Sequence, residues 1–182
     1  MNDVPPWLCI VIIVVLVILS AFFSSTETAF AALNVFKIKV KADDGNKTAK
    51  LILKTREKFN TTLVMALVGY NIDSIVISTL SSIMFFSLFK GIMEETFISL
   101  ISTAIMTFIV YIFCDMVPKM IAKAMPEAVA RNNVYLAQVF KIIFFPIIML
   151  FNGIIKLVEL IFKVDKQVTL TEEDFTNIVE DI

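Results

Sequence analysis

Three long apolar runs are the feature that most limits how this chain can fold. They cover roughly residues 7–33, 61–89 and 97–117, and a helix needs about 20 apolar residues to cross a bilayer. Because lipid offers the backbone no hydrogen-bond partner, a span must be a helix or belong to a closed barrel. With 58% hydrophobic residues in 182, the chain is predicted to be an all-α integral membrane protein with three transmembrane helices.

The basic residues predict the orientation of these spans. Of 16 Lys and Arg residues, eight lie in 35–59, seven follow the third run, and one, Lys90, lies between the second run and the third. Cytoplasmic loops carry the excess of positive charge. We therefore expect a plasma-membrane protein with its N-terminus outside and its C-terminus in the cytoplasm. The first run has no basic region before it and is too long for a signal-peptide core, which predicts a retained span.

The polar segment 35–59 is predicted to be a cytoplasmic connection. Asp43, Asp44 and Gly45 form a turn signal. The residues after it alternate lysines with alanine, leucine and isoleucine, which is typical of a basic helix on lipid headgroups.

The segment 134–162 is long enough to be a fourth span. It nevertheless contains charges, is interrupted by Pro146 and Gly153, and as a span would place Lys163 outside the cell. We therefore favour two amphipathic helices in a juxtamembrane belt at about 126–163, while a fourth span stays the alternative.

Each of the three runs contains an acidic residue. The first reads F-F-S-S-T-E-T-A-F at Phe22–Phe30, with four hydroxyl groups around Glu27, and the others contain Asp73 and Asp115. A charge at the bilayer centre costs about 2.5–3.5 kcal/mol on insertion scales, so such residues commonly mark an ion pathway. Acids beside small oxygen-bearing side chains on three helices predict a path for a cation.

Composition excludes several kinds of site. Histidine is absent and there are only two cysteines, which excludes imidazole ligands and a zinc site of the thiolate type. A bound metal would need mostly oxygen ligands, which suits Mg²⁺ or Na⁺. No nucleophile–base pair points to an enzyme, and a net charge of −1 gives no reason to expect nucleic acid as a partner.

Some of the polar residues are predicted to lie at the same depth in the membrane. Ser24 precedes Lys37 by 13 residues, and Asn71 follows Lys58 by 13 residues. At 1.5 Å per residue, both lie about 20 Å from the inner boundary. The hydroxyl cluster and Asn71 are therefore predicted to face each other.

The third helix is expected to contribute a carbonyl group and a carboxylate. Pro118 has no N–H for the carbonyl of Cys114, which stands beside Asp115. A free carbonyl and an acid at a helix break are typical of cation sites in transporters. Alternatively, Pro118 is only a kink, Asp115 pairs with Lys119, and the hydroxyls bond to their own helix.

The roles of two residues in the second predicted span, Gly69 and Asp73, are less easily assigned. Gly69 would let another backbone approach, or would serve packing alone. Asp73 is two residues from Asn71, which is about 200° around a helix. Asp73 is therefore either a second ion position or the partner of a lysine.

These motifs resemble the transmembrane domain of the CorC/CNNM magnesium transporters. The resemblance rests on S-x-[ST]-E-T-A in the first span, G-x-N in the second, D-M-V-P-K at Asp115–Lys119, and an acidic helix start at Thr171. It implies a homodimer, with a transmembrane domain at 1–165 and an acidic helical linker from 166–182. In a longer protein, the linker would lead to a pair of CBS domains that bind nucleotide. The implied activity is Mg²⁺ export coupled to Na⁺ entry, and the alternative is a Mg²⁺-sensing scaffold that regulates another carrier.

The predicted site follows from the residues and the resemblance together. The ligands of a partly or fully dehydrated Mg²⁺ are expected to be Ser24, Ser25, Thr26, Asn71, the Cys114 carbonyl and Asp115. The supporting residues are expected to be Glu27, which tunes the field or holds the coupling ion, and Gly69, Tyr70, Asp73, Pro118 and Lys119.

The chain departs from the family pattern at four of these positions. Cys114 stands where the family usually has glycine, and Asp115 where it more often has glutamate. Tyr70 replaces the expected asparagine, which leaves Asn71 as the amide, and Thr26 replaces a serine.

Overall fold

The computed structural model describes residues 5–162. The chain divides into two compact units, Met1–Ile148 and Met149–Ile182, and every contact discussed below lies in the first. The predicted linker at 166–182 lies outside the described residues.

The described chain is built almost entirely of helices. In chain order they are α1 (Pro6–Ala32), α2 (Val35–Asp43), α3 (Lys47–Glu57), α4 (Phe59–Phe89), α5 (Glu95–Ile109), a π-helical segment (Val110–Met116), α6 (Val117–Ala124), α7 (Pro126–Ile143) and α8 (Phe145–Phe162). Three stretches are long and apolar enough to cross a membrane: α1, α4, and the run from α5 through the π-helical segment to α6. For the described residues, the prediction of an all-α fold with three candidate spanning helices is confirmed.

The third span is longer than predicted. The candidate span runs over Glu95–Ala124 and so extends beyond the expected end at about Val117. The reason is the π-helical segment, in which the N–H of Val117 bonds to the carbonyl of Ile112, five residues back. Pro118 then stands in the first turn of α6, where a missing N–H is tolerated.

A helical hairpin, α2–α3, connects the first two spans. Its turn contains Gly45 at φ +91°, a conformation that favours glycine, so the predicted turn is confirmed. Each helix of the hairpin begins with an asparagine cap. The side chain of Asn34 accepts from the N–H of Lys37 at 3.0 Å, and that of Asn46 accepts from Ala49, also at 3.0 Å.

An apolar cluster joins the hairpin to the end of α1 and to α6 and α7. Its buried members are Ala29, Phe30, Leu33, Ile38, Ala42, Ala49, Ile52, Ala122, Ala130 and Val134. Because Ala49 and Ile52 are 4% and 2% exposed, protein covers the apolar face of α3. The picture of this helix resting only on lipid headgroups is therefore incomplete.

The predicted juxtamembrane belt consists of α7 and α8. They are separated at Phe144, two residues before the expected break at Pro146, and Gly153 lies inside α8. Pro146 instead stands at the second position of α8, where proline fits a helix start. The described chain would have a fourth span only if this bent pair counted as one, so its place at the membrane stays a prediction.

A second apolar cluster lies among the spans. It contains Ile13, Ile77, Met106 and Cys114, from α1, α4, α5 and the π-helical segment. The polar stretch of α1 therefore lies between two apolar clusters.

The helices α1 and α4 approach closely beside this stretch. A Cβ atom at Gly69 would overlap the ring of Phe23, so glycine is needed there because a ring, and not a second backbone, fills the space. Phe23 also packs against Phe140 of α7, with 4.8 Å between ring centroids.

Candidate functional site

Asp115 is the carboxylate with the most polar neighbours in the predicted site. Its Oδ1 accepts a hydrogen bond from the Ser24 hydroxyl at 3.2 Å. The same oxygen lies 2.6 Å from the Lys119 ammonium, one helical turn further on. The pairing with Lys119, which the sequence left as the alternative to a ligand role, is thus present. The carboxylate is charge-balanced by an ammonium group that belongs to its own helix.

Asp73 forms a second carboxylate–serine pair on the same face of α1. The Ser20 hydroxyl donates to Asp73 Oδ2 at 3.4 Å, and both residues are buried. Ser20 and Ser24 are four residues apart, so they share one face of the helix. The structure therefore places carboxylates from two other spans along one line of α1. Ser20 was missed from the sequence because it is a single serine in an apolar run, without the cluster of hydroxyl residues that marks Ser24 and its neighbours.

The π-helical segment positions the third-helix residues. Cys114 is fully buried, and its thiol donates to the carbonyl of Val17 at a sulfur–oxygen distance of 3.9 Å. Its own carbonyl lacks the usual partner because Pro118 has no N–H. Cys114 and Asp115 are adjacent, yet the first faces the apolar cluster while the second meets Ser24. π-helical turns are frequent at functional sites.

Ser25 and Thr26 are held by α7. The Asn133 amide donates to Ser25 Oγ at 3.1 Å and to Thr26 Oγ1 at 2.9 Å. Both hydroxyls in turn donate to the carbonyl of Phe22, so the alternative in which hydroxyls bond to their own helix holds for these two. Asn133 was missed because it lies more than 100 residues away, beside Asn132, with no signal to separate the two amides.

Asn71 is not brought to this group. Its side chain is exposed and its amide donates to the carbonyl of Leu67, in its own helix, at 2.7 Å. Asp73, two residues later, turns to the opposite side of α4 and meets Ser20. Tyr70 packs against the second apolar cluster. The shared depth of Ser24 and Asn71 does not make them neighbours, because depth leaves the rotation of a helix undetermined.

Glu27 lies near the site without joining its hydrogen bonds. It is half-buried on α1. In the described part of the chain, three or more Asp, Glu or Cys residues do not gather as a metal site would require. The donors near Asp115 are mainly hydroxyl and carbonyl oxygens, which can accompany a hard cation but supply little charge.

Comparisons with known proteins show which family the chain resembles. The family model described as the cyclin M transmembrane N-terminal domain matches residues 11–181. The inner membrane protein YfjD of Escherichia coli is 31% identical over 139 residues, which are 76% of this chain and 31% of that protein. The polyamine export protein of Salmonella typhimurium is 30% identical over 181 residues, or 94% of this chain and 40% of that protein.

A third relative has no activity in its name. It is a UPF0053 protein of Haemophilus influenzae, 28% identical over 177 residues, which are 95% of this chain and 41% of the relative. The chain therefore spans between 31% and 41% of the length of these relatives.

Proposed function

This chain belongs to the cyclin M transmembrane domain family, and on that premise we propose that it moves Mg²⁺ across a membrane, with Na⁺ as the coupling ion. The family is associated with membrane transport and export and not with enzymes. The named cargo and the coupling ion are our inference, because the relatives are named for polyamine export or for no activity.

The observation that carries the proposal is the Asp115–Lys119 pair inside a membrane-spanning stretch. Charged residues there are costly and usually mark a pathway. Lysine is a compact charge on a flexible stem, so its ammonium can leave Asp115 and be replaced by a cation. The tethered ammonium thus holds the position of the cargo while the site is empty of it.

Glu27 is a second carboxylate with which the Lys119 ammonium could pair after it leaves Asp115. Mg²⁺ brings two positive charges, of which Asp115 balances one. If Lys119 moved from Asp115 towards Glu27, each ammonium or metal charge would face a carboxylate, and the net formal charge of the three side chains and the ion would be +1, against −1 for the side chains alone. In this proposal Glu27 tunes the field, and Asp73 with Ser20 forms a second position along α1 for the coupling ion.

The ligands fall into two groups. Ser24, Asp115 and the Cys114 carbonyl would contact the ion directly, with water completing the near-octahedral shell that Mg²⁺ demands. Ser25 and Thr26 are engaged by Asn133, so they would support Ser24 and would bind only after Asn133 moved. Asn71 would join only if α4 rotated or unwound, and its role stays a prediction from the sequence.

A polyamine is the second candidate cargo. The specific observation is that Asp115 already binds a primary alkylammonium group, that of Lys119. The Ser20–Asp73 and Ser24–Asp115 pairs stand one helical turn apart on α1, a rise of about 6 Å. Two carboxylates in a line suit a linear chain with ammonium groups at both ends.

Flux measurements decide between these cargoes. The purified protein in liposomes should move Mg²⁺ when a Na⁺ gradient is applied, as read by an enclosed Mg²⁺-sensitive dye. Asp115→Asn should lose this flux, and Glu94→Gln, an exposed acid between α4 and α5, should keep it. Flux of labelled spermidine without Mg²⁺ flux would select the polyamine. No flux of either cargo would contradict transport and favour the Mg²⁺-sensing scaffold.

The assembly and orientation belong to the same proposal. We expect a homodimer with the N-terminus outside, embedded in lipid and controlled by nucleotide bound to CBS domains elsewhere in the protein. Cross-linking in membranes would test the dimer, and protease protection of a tag at either terminus would test the orientation.

A further inference from the structure

A basic pocket lies away from the Asp115 site, where the second span begins. It has a volume of about 460 Å³ and is formed by the end of α3, the start of α4 and the end of α7. Its lining residues are Leu51, Lys54, Thr55, Lys58, Thr61, Gln138, Lys141, Ile142 and Phe145.

Three lysines and no acid line this pocket. In the part of the chain that the structure describes, Lys54, Lys58 and Lys141 form no ion pair with an acid. Burial, followed by the charge of Lys58, lowers the pKa of Lys141 to about 8. The pocket therefore collects positive charge without compensating it, and an anion would supply what is missing.

In a neighbouring pocket, an acidic residue balances the charge of the basic residues. It is lined by Lys41 and Arg131 but also by Glu127. Glu127 binds Lys41 at 2.6 Å and Lys37 at 2.9 Å. The carboxylate already fills the role of the anion there, whereas the pocket around Lys141 has no acid in its lining.

The position of the pocket identifies the kind of anion. Lys58 immediately precedes α4, which is one of the spans, so the ammonium groups lie where the chain enters the membrane. Ile142 and Phe145 are 76% and 63% exposed at the same pocket. A lipid has this combination, with a phosphate at headgroup depth and apolar chains beside it, and basic pockets of this kind bind anionic lipid headgroups.

We propose that this pocket binds an anionic phospholipid. The phosphate lies among Lys54, Lys58 and Lys141, and an acyl chain runs over Ile142 and Phe145. The Thr61 hydroxyl lies in the lining, where it can donate to a phosphate oxygen. Gln138 holds the wall in place, since its amide donates to the Thr55 hydroxyl at 2.7 Å. Bound lipid would thus tie α3, α4 and α7 together.

Thermal unfolding in nanodiscs tests the proposal. Adding phosphatidylglycerol to phosphatidylcholine should raise the Tm of the parent protein. Lys58→Gln/Lys141→Gln should bind phosphatidylglycerol at least about tenfold more weakly, because two charge-assisted hydrogen bonds to the phosphate are lost. Lys50→Gln is the matched control, since Lys50 is an exposed lysine of α3 outside the lining, and it should bind like the parent.

A second variant distinguishes a loss of lipid binding from a folding defect. Lys58→Arg/Lys141→Arg keeps both charges and should restore the response to phosphatidylglycerol. An unchanged response in the glutamine variant would overturn the site. If inorganic phosphate in pure phosphatidylcholine gave the parent the full increase in Tm, the ligand would be a soluble phosphate and the lipid assignment would be wrong.

Discussion

Two ion pairs of the same length show how differently one chemistry can be used in this molecule. Lys119 Nζ lies 2.6 Å from Asp115, and Lys41 Nζ lies 2.6 Å from Glu127. The first pair is inside a membrane-spanning stretch and also receives the Ser24 hydroxyl. The second lies outside the spans, where Lys37 joins it and water can replace either lysine. Distance alone therefore does not tell what an ion pair does, and its surroundings decide.

The energetic expectation differs accordingly. Exposed ion pairs contribute about 0–1 kcal/mol, because solvent screens them and long side chains lose entropy. Breaking a buried pair by removing one partner costs about 3–5 kcal/mol, because a charge is left without compensation. The same operation on the two pairs should therefore give unequal results.

Asp115→Asn should have the largest effect on function. It keeps the size and one oxygen but removes the charge that meets the cation, so the protein should fold while Mg²⁺ flux falls by at least about tenfold. Stabilisation by Mg²⁺ in thermal unfolding should shrink as well. The matched change Glu127→Gln should leave both unaltered. A parent-like flux in Asp115→Asn would place the ion path elsewhere.

Lys119→Gln should have the next largest effect, and we expect it to appear in stability. It leaves Asp115 without its ammonium partner, and we expect a loss of about 2 kcal/mol, below the fully buried range because the two side chains are 37% and 28% exposed. Mg²⁺ should restore more stability to this variant than to the parent, since the ion replaces the missing charge. Equal increases in Tm with Mg²⁺ in both proteins would refute the view of Lys119 as a stand-in for the cargo.

Asn133→Ala should have an intermediate effect. Asn133 donates to Ser25 and Thr26 from α7, the helix that also carries Glu127. Two lost hydrogen bonds predict a destabilisation of about 1–2 kcal/mol. Guanidinium unfolding with a matched exposed control, Asn132→Ala, would measure it. A loss no greater than that of the control would remove Asn133 from the site's support.

Glu127→Gln should have the smallest effect and a particular pH dependence. Hydrogen bonds from Lys41 and then from Lys37 lower the pKa of Glu127 below 4.5. A lowered carboxyl pKa stabilises the fold above that ordinary value, and the stabilisation is lost as pH falls through the folded pKa. The Tm difference between parent and variant should be small and constant above pH 4.5 and should disappear below it. A difference that grew on acidification would have the wrong sign.

Part of this structure could be predicted from the sequence, and part could not. Apolar length predicted the three spans, and the chemistry of Pro118 drew attention to Asp115 and Cys114. Both follow from residues that are neighbours in the chain. The partners of those residues, such as Ser20 for Asp73, depend on helix rotation, and a uniformly apolar run gives no periodicity from which rotation can be read.

Asn71 and Pro118 are two further examples of what the sequence could not predict. The depth of Asn71 could be counted from the nearest lysine, but the face of α4 on which it stands could not. Pro118 predicted a disturbance of the helix, but the sequence did not show that the disturbance would take the form of π-helical turns and let the span continue to Ala124.

The contact between Gly69 and Phe23 makes two distant positions of the chain interdependent. Alanine at 69 would collide with the ring, and overfilling a packed interface costs about 1–3 kcal/mol. A smaller apolar side chain at 23 would relieve that collision, although it would leave a void if introduced alone. Each replacement is therefore harmful by itself and tolerable in the company of the other. Any redesign of this protein must treat the two positions as one choice.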